Sequence, residues 1–301
     1  LYNYRVSGGQ GNWTSWRQIK TAPQQRDRDV EFLYFGDAQS GIYSHWPMIL
    51  RSAWQHAPKA EFAIYAGDLV NEGASDRQWS NWLNADPFIL SMIPAVLVVG
   101  NHEYDWKMQA NNQKDWALST LWQDQFTLPL SPTLPVELQE TVYVTRYPDL
   151  DIFVLNSGAL GDVALLDAQA QWLDKKLQSS SAKWRIVTMH HPVFSSCGMP
   201  LNTAGQDEPD VRAAFLPVFL KHNVDLVLQG HDHTYSRGSI GTPEDIGKIA
   251  SPLEPKKVRS VFLTTVASPK TYPQKLDRCQ EYSHYGVVLE RIGYNTPTYH
   301  I

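Results

Sequence analysis

The sequence predicts an α/β fold with parallel strands and helical crossovers. Three observations carry that expectation. Apolar runs at 30–35, 62–66 and 95–99 have the length of buried strands, and each ends in glycine plus a polar residue: Gly36-Asp37, Gly67-Asp68 and Gly100-Asn101-His102. Segments with helical spacing separate these runs, which is the βαβαβ rhythm of a parallel sheet with right-handed connections. Later runs at 184–189 and 225–229 repeat the habit, ending at His190-His191 and Gly230-His231-Asp232-His233. With 301 residues, 43% of them apolar, the chain is long enough for one large domain or two medium ones.

Taken in order, residues 1–22 read as a hairpin. Apolar and polar residues alternate over 2–6 and 16–20 around Ser7-Gly8-Gly9. A lone hairpin is marginal in water, so it is expected to be the last hairpin of an N-terminal all-β domain cut short. A polar linker, 23–29, joins it to the main domain, 30–301. Residues 44–56 form a helix with Trp46, Ile49, Leu50, Ala53 and Trp54 on one face. A short helix follows at 76–83, with Asp76 as its N-cap. The stretch 105–140 is rich in Trp and Pro and reads as irregular. Residues 142–144 and 152–155 make an antiparallel pair, 167–177 and 211–222 are helices, and 261–266 and 287–289 supply the last strands.

Composition narrows the function. Against 26 Lys and Arg stand 31 Asp and Glu, a net charge of −5, which argues against a protein that coats nucleic acid. No uncharged apolar run reaches the roughly 18 residues of a membrane span. The N-terminus has neither Met nor an apolar leader segment, so the chain is read as processed or cut from a longer one. Two cysteines, Cys197 and Cys279, exclude a disulfide scaffold and a multi-thiolate metal site. One bridge in an oxidising compartment and two unrelated thiols both remain open. Monomer and oligomer are equally open.

Five strand ends deliver Asp37, Asp68, Asn101, His190 and the pair His231/His233. Ligands in open α/β sheets collect outside the carboxyl ends of strands. Any one residue alone is weak, because Asp after Gly is commonly a turn residue and a lone His is commonly packed or solvated. The set in this order is specific. Over about residues 30–286 it resembles the calcineurin-like metallophosphoesterases and, among them, the purple acid phosphatases. The matching segments are Gly36-Asp37, Gly67-Asp68, Gly100-Asn101-His102-Glu103, Val187-Thr188-Met189-His190 and Gly230-His231-Asp232-His233.

The resemblance implies a β-sandwich flanked by helices, and it makes the first hairpin with Thr21-Ala22 the end of a fibronectin-like domain. It implies two divalent or mixed-valence transition-metal ions. One takes Asp37, Asp68 and His233; the other takes Asp68, Asn101, His190 and His231, with Asp68 shared. Imidazole, carboxylate and amide ligands suit Zn, Fe or Mn. The implied reaction is hydrolysis of a small phosphate monoester by a hydroxide held between the ions. His102 then contacts phosphate and donates a proton to the leaving group. Glu103 either orients His102 or is a structural carboxylate.

The sequence departs from the family at two positions. Purple acid phosphatases carry a tyrosine ligand where this chain has Asn71, and relatives with Asp-x-His at the first motif have histidine where it has Gln39. Gln39 is read as an amide behind the ligands, with weak coordination through its carbonyl oxygen as the other reading. Loss of the phenolate favours two divalent ions and a colourless protein. His191, next to His190 on an extended segment, is expected to point away from the metals and to pack behind them. Tyr235, Arg237, Tyr104 and Asp105 sit close enough to the motifs to line the pocket, with packing the simpler role. A phosphodiesterase or nucleotidase on the same cage is the rival within enzymes. A non-catalytic scaffold retaining the fold is the rival outside them. The fibronectin-like attachment and the cysteine pair point to a secreted or periplasmic protein.

Overall fold

The computed structural model describes residues 1–24, 29–108, 114–159, 161–195, 208–240, 260–272 and 287–290. The N-terminal hairpin forms as expected: β1 (Tyr2–Tyr4) pairs antiparallel with β2 (Arg17–Ile19). It is tied to the main body by the Tyr4 hydroxyl, which donates to the Ser91 carbonyl at 2.6 Å. Residues 25–28 of the expected linker, both cysteines, the loop over 196–207 and His284 lie outside the described residues.

The first three core strands are β3 (Leu33–Phe35), β4 (Ala63–Tyr65) and β5 (Ala95–Leu97), all parallel in the order β3-β4-β5. Between them come α1 (His45–His56), α2 (Asp76–Leu83) and α3 (Pro87–Leu90). The predicted face of α1 is the packed one: Trp46, Leu50 and Ala53 are buried, with Ile49 and Trp54 against the same core. The N-cap of α2 is Ser75 rather than Asp76; Asp76 lies in the first turn, where its charge suits the helix dipole. Asp86 caps α3, its side chain accepting from the N–H groups of Phe88 and Ile89.

Within the stretch 105–140, read as irregular, β6 (Tyr104–Met108) and β7 (Lys114–Leu118) instead pair antiparallel. Trp106 faces Trp116 across the two strands, an aromatic cross-strand pair that stabilises exposed two-stranded ribbons. A short α4 (Thr120–Gln125) follows.

The remaining strands build a second sheet. They are β8 (Tyr143–Tyr147), β9 (Leu150–Val154), β10 (Trp184–Thr188), β11 (Leu226–Gln229), β12 (Ser236–Ile240), β13 (Ser260–Thr264) and β14 (Val287–Glu290), in the order β14-β12-β13-β11-β10-β9-β8. Strands β9, β10, β11 and β13 run parallel, while β8, β12 and β14 pair antiparallel to their neighbours. Helices α5 (Val163–Gln178) and α6 (Pro209–His222) cover its outer face. Helix α5 begins a turn before the expected start because Asp162 caps it, accepting from Leu165 N at 3.1 Å.

Strand periodicity assigns each side chain to a layer. Ala63 and Tyr65 face the helices α1 and α2, whereas Ile64 between them faces the second sheet. Phe153 and Val187 face α5 and α6, whereas Ile152, Val154, Ile186 and Leu228 fill the space between the sheets. The fold is therefore the expected α/β sandwich, with helices on both outer faces. Two tyrosine hydroxyls join the sheets. Tyr143 of β8 donates to Leu97 O at 2.8 Å and accepts from Leu97 N at 2.9 Å. Tyr34 of β3 accepts from Gln229 N at 2.7 Å and donates to the carbonyls of Gln229 and Leu263.

Candidate metal centre

Both sheets present their carboxyl ends at one place. Asp37, Asp68 and Asn101 follow β3, β4 and β5, while His190, His231 and His233 follow β10 and β11. Tight turns do the delivering. Asp37, Asp68, His231 and His233 all have left-handed backbones, with φ of 50°, 52°, 71° and 43°. Such a conformation costs an L-residue about 1 kcal/mol or more, so these turns are held by their surroundings. A glycine precedes Asp37, Asp68, Asn101 and His231, and closeness requires it. A Cβ on Gly230 would sit 2.5 Å from Asp37 Oδ2, and one on Gly100 would run into the Asp68 carboxylate.

The ligand atoms form two groups. Those of Asp37, Asp68 and His233 lie within 4.8 Å of one another, as do those of His190, His191 and His231. Asp68 and His190 connect the groups, with Oδ2 and Nε2 3.3 Å apart. Asn101 Oδ1 stands 3.1 Å from His190 Nε2 and 3.0 Å from His231 Nδ1. All six expected ligands are thus brought together, with His190, Asp37, Asp68 and His233 buried.

Backbone carbonyls aim the imidazoles. His190 Nδ1 lies 2.9 Å from Ala66 O, and His233 Nδ1 lies 3.1 Å from Lys270 O. A carbonyl only accepts, so each Nδ1 carries a proton, which leaves Nε2 facing the centre as the nitrogen able to ligate. No sequence signal marked Ala66 or Lys270 for this task. Asp37 Oδ1, Gln39 Oε1 and His231 Nε2 are buried without a hydrogen-bond partner. Orphaned carboxylate, amide and imidazole atoms in one buried cluster fit a cation-binding site of the Zn, Fe or Mn type.

Electrostatics agree with that donor set. Burial, then the charge of His190, pushes the His231 imidazole down to about 3, and burial with Lys270 nearby pushes His233 down to about 4. Both are neutral, as ligation requires. Burial alone would raise Asp68 and lower His190, but their mutual attraction outweighs it: Asp68 is held well below the usual carboxylate range and His190 is pushed up to about 10. Burial raises Asp37 well above its ordinary value.

The other predicted residues divide. His102 has its Nδ1 2.7 Å from the carbonyl of Asn71, its Nε2 3.9 Å from Asp68 Oδ2, and a side chain 30% exposed. It therefore stands at the solvent side of the centre. The position that carries a tyrosine ligand in purple acid phosphatases here serves through its backbone. Glu103 does not reach His102 through its carboxylate. That group is wholly buried and accepts from the N–H groups of Asp68, Leu69, Val70 and Gly100, which clamps the Asp68 turn. Burial, with Asp68 beside it, pushes its carboxyl up to about 7.

Gln39 lies among the first group, its Nε2 3.1 Å from Asp68 Oδ2 and 2.9 Å from His233 Nε2. His191 departs from expectation, because its ring centroid is 4.5 Å from that of His231 and 4.9 Å from that of His190. Strand β10 ends at Thr188, so the alternation of an extended strand no longer governs residues 190–191. Ser157 Oγ is 3.0 Å from its Nδ1. Tyr235 is half-buried and bears on the ionisation of Tyr34. Tyr104 and Asp105 border the cavity next to Asn101 and His102.

The sequence profile of the calcineurin-like phosphoesterases matches residues 30–235, well over half of the chain. The chain belongs to that family. The matched stretch contains all six expected ligand residues and His102. Purple acid phosphatase 4 of Arabidopsis thaliana is 26% identical over 233 residues, covering 71% of this chain and 65% of that protein. Purple acid phosphatase 3 of the same plant is 29% identical over 231 residues, covering 70% and 59%. The chain thus spans less than two thirds of these relatives. The structure of purple acid phosphatase PPD1 from yellow lupin seeds superposes with a TM-score of 0.67 at 16% identity, covering 98% of this chain and 51% of that one. At that identity the likeness establishes the phosphoesterase fold. No described helix is long and apolar enough to cross a membrane.

Proposed function

We propose that this protein hydrolyses phosphate monoesters at a two-metal centre made of Asp37, Asp68, Asn101, His190, His231 and His233. The observation that carries this is the pair of ligand groups, each within 4.8 Å, joined through Asp68 and His190. Bound ions of the Zn, Fe or Mn class would supply an activated water and neutralise charge on the phosphoryl group. Everything else falls to the chain. Asp68, between the groups, would serve both ions, since a carboxylate has lone pairs for two. The carbonyls of Ala66 and Lys270 keep His190 and His233 in the ligating tautomer. His102 donates its Nδ1 proton to Asn71 O, which leaves Nε2 to hold the proton handed to the departing alcohol. Its partial exposure lets a substrate reach it.

Support for monoesters comes from similarity to proteins named purple acid phosphatases. We also propose that residues 1–22, which pair as a hairpin, belong to a fibronectin-like domain and that the protein is exported. The test is elemental analysis of purified protein together with turnover of p-nitrophenyl phosphate and bis-p-nitrophenyl phosphate. Two metals per chain with faster monoester turnover is expected. Faster diester turnover would reassign the enzyme as a phosphodiesterase. Less than one metal per chain and no turnover would make it a scaffold.

A further inference from the structure

Beside the candidate centre lies a cavity of about 610 Å³ bordered by Asn101, His102, Asn71, Glu72, Tyr104, Asp105 and Trp116. The proposed chemistry uses Asn101, His102 and the backbone of Asn71, which leaves most of this wall without a task. Its aromatic part is unusual. Trp116 stacks on Tyr104 with centroids 6.1 Å apart and planes 13° from parallel, and Trp106 meets Trp116 at 5.2 Å and 62°. Trp106 is 60% exposed and Trp116 40%. Neighbouring exposed indoles beside a cavity mark a surface meant to be covered by something. Beyond His102, the charged part is acidic: Glu72 and Asp105 line the cavity, with no lysine or arginine among the described residues that do so. Position then assigns the occupant. Asn101 marks the side of the cavity toward the proposed ions, and in the proposed reaction His102 faces the departing alcohol, so the wall beyond His102 would receive the alcohol.

We propose that this cavity is a leaving-group subsite for an alcohol bearing an ammonium charge, which makes amino-alcohol phosphate monoesters the preferred substrates. The proposal rests on the phosphatase reading of the adjoining centre. An indole face attracts a cation through its quadrupole, and two carboxylates attract the same cation by Coulomb's law. A leaving alcohol with a second anionic group would meet both carboxylates and no lysine or arginine in the described wall. A neutral alcohol would gain only apolar contact with Trp116.

The experiment compares kcat/KM of the metal-loaded chain for three substrates. They are phosphocholine, its uncharged carbon isostere 3,3-dimethylbutyl phosphate, and the anionic 3-phosphoglycerate. Phosphocholine is expected to exceed the isostere by about tenfold, the scale of a partly desolvated cation–π contact, with 3-phosphoglycerate slowest. Trp116→Leu and Glu72→Gln should each bring the first ratio toward one, and Glu72→Lys should raise 3-phosphoglycerate relative to phosphocholine. Equal kcat/KM for phosphocholine and its isostere, or a ratio that neither Trp116→Leu nor Glu72→Gln moves, overturns the proposal. If none of the three is hydrolysed, the phosphatase reading fails, and the subsite is decided by binding. Choline chloride should then quench tryptophan fluorescence saturably in the wild-type chain and not in Trp116→Leu. Identical quenching in both overturns the subsite.

Discussion

Replacing Glu103 by alanine should unclamp the metal centre without touching a ligand. The Glu103 carboxylate accepts from Gly100 N at 2.6 Å, Leu69 N at 2.8 Å, Asp68 N at 2.9 Å and Val70 N at 3.4 Å. Three of these are strong, and the fourth is too long to count for much. A buried N–H left without a partner costs about 1–3 kcal/mol, and water entering the vacated space offsets part of that. A net loss of about 4 kcal/mol follows for Glu103→Ala. Unfolding entropy is about 2.1 cal/mol/K per residue, so over 301 residues the Tm should fall by about 6 °C. Glu103→Gln keeps one accepting oxygen and should lose about half as much.

The assay is thermal unfolding of metal-stripped protein followed by circular dichroism. It is run at pH 8, where a carboxyl pushed up to about 7 is ionised. Both variants should also hold metal more weakly, because the left-handed turn at Asp68 loses its tether. A Tm shift under about 1 °C in Glu103→Ala would refute the assignment of Glu103 as the clamp.

Three further outcomes follow from the geometry. His102→Ala should lower kcat by about 10²–10⁴ while metal content is kept, whereas Asp68→Ala should lose metal and activity together; elemental analysis beside kinetics separates them. Because Asn71 stands at the tyrosine-ligand position, metal-loaded protein should show no tyrosinate charge-transfer band in the visible spectrum, and a purple preparation would contradict this. Metal loading at neutral pH should release protons, since Asp68 holds His190 protonated up to about 10 and ligation needs its neutral ring. The sign is that affinity rises with pH throughout the range below that value. Calorimetric titration in buffers of different ionisation enthalpy measures the release, and none at all would mean that His190 is not a ligand.

Much of this molecule is written in local pattern. The predicted face of α1 is the buried face because a 3.6-residue period is a property of the helix alone. Ile64 and its neighbours Ala63 and Tyr65 part to opposite layers because a two-residue period is a property of the strand alone. Where local pattern was silent, the reading missed. Strand β12 (Ser236–Ile240) has no apolar run, and it is a strand because β13 and β14 flank it on both sides. The β6–β7 pair hid in a stretch rich in Trp, although Tyr104, Trp106 and Met108 alternate with Asp105 and Lys107 as a ribbon should.

The sequence by itself determined which residues stand at strand ends and in what order, since Gly-Asp, Gly-Asn-His and His-x-His are covalent neighbours of apolar runs. Only the tertiary structure decided that these ends come from two separate sheets, and that four of the candidate ligands sit on left-handed turns. It also decided that Glu103 serves the backbone, that His191 turns inward, and that exposed indoles flank the cavity beside His102. Those outcomes depend on groups distant along the chain meeting in space, where burial and unpaired donors set the energy, and no periodicity of nearby residues records such meetings.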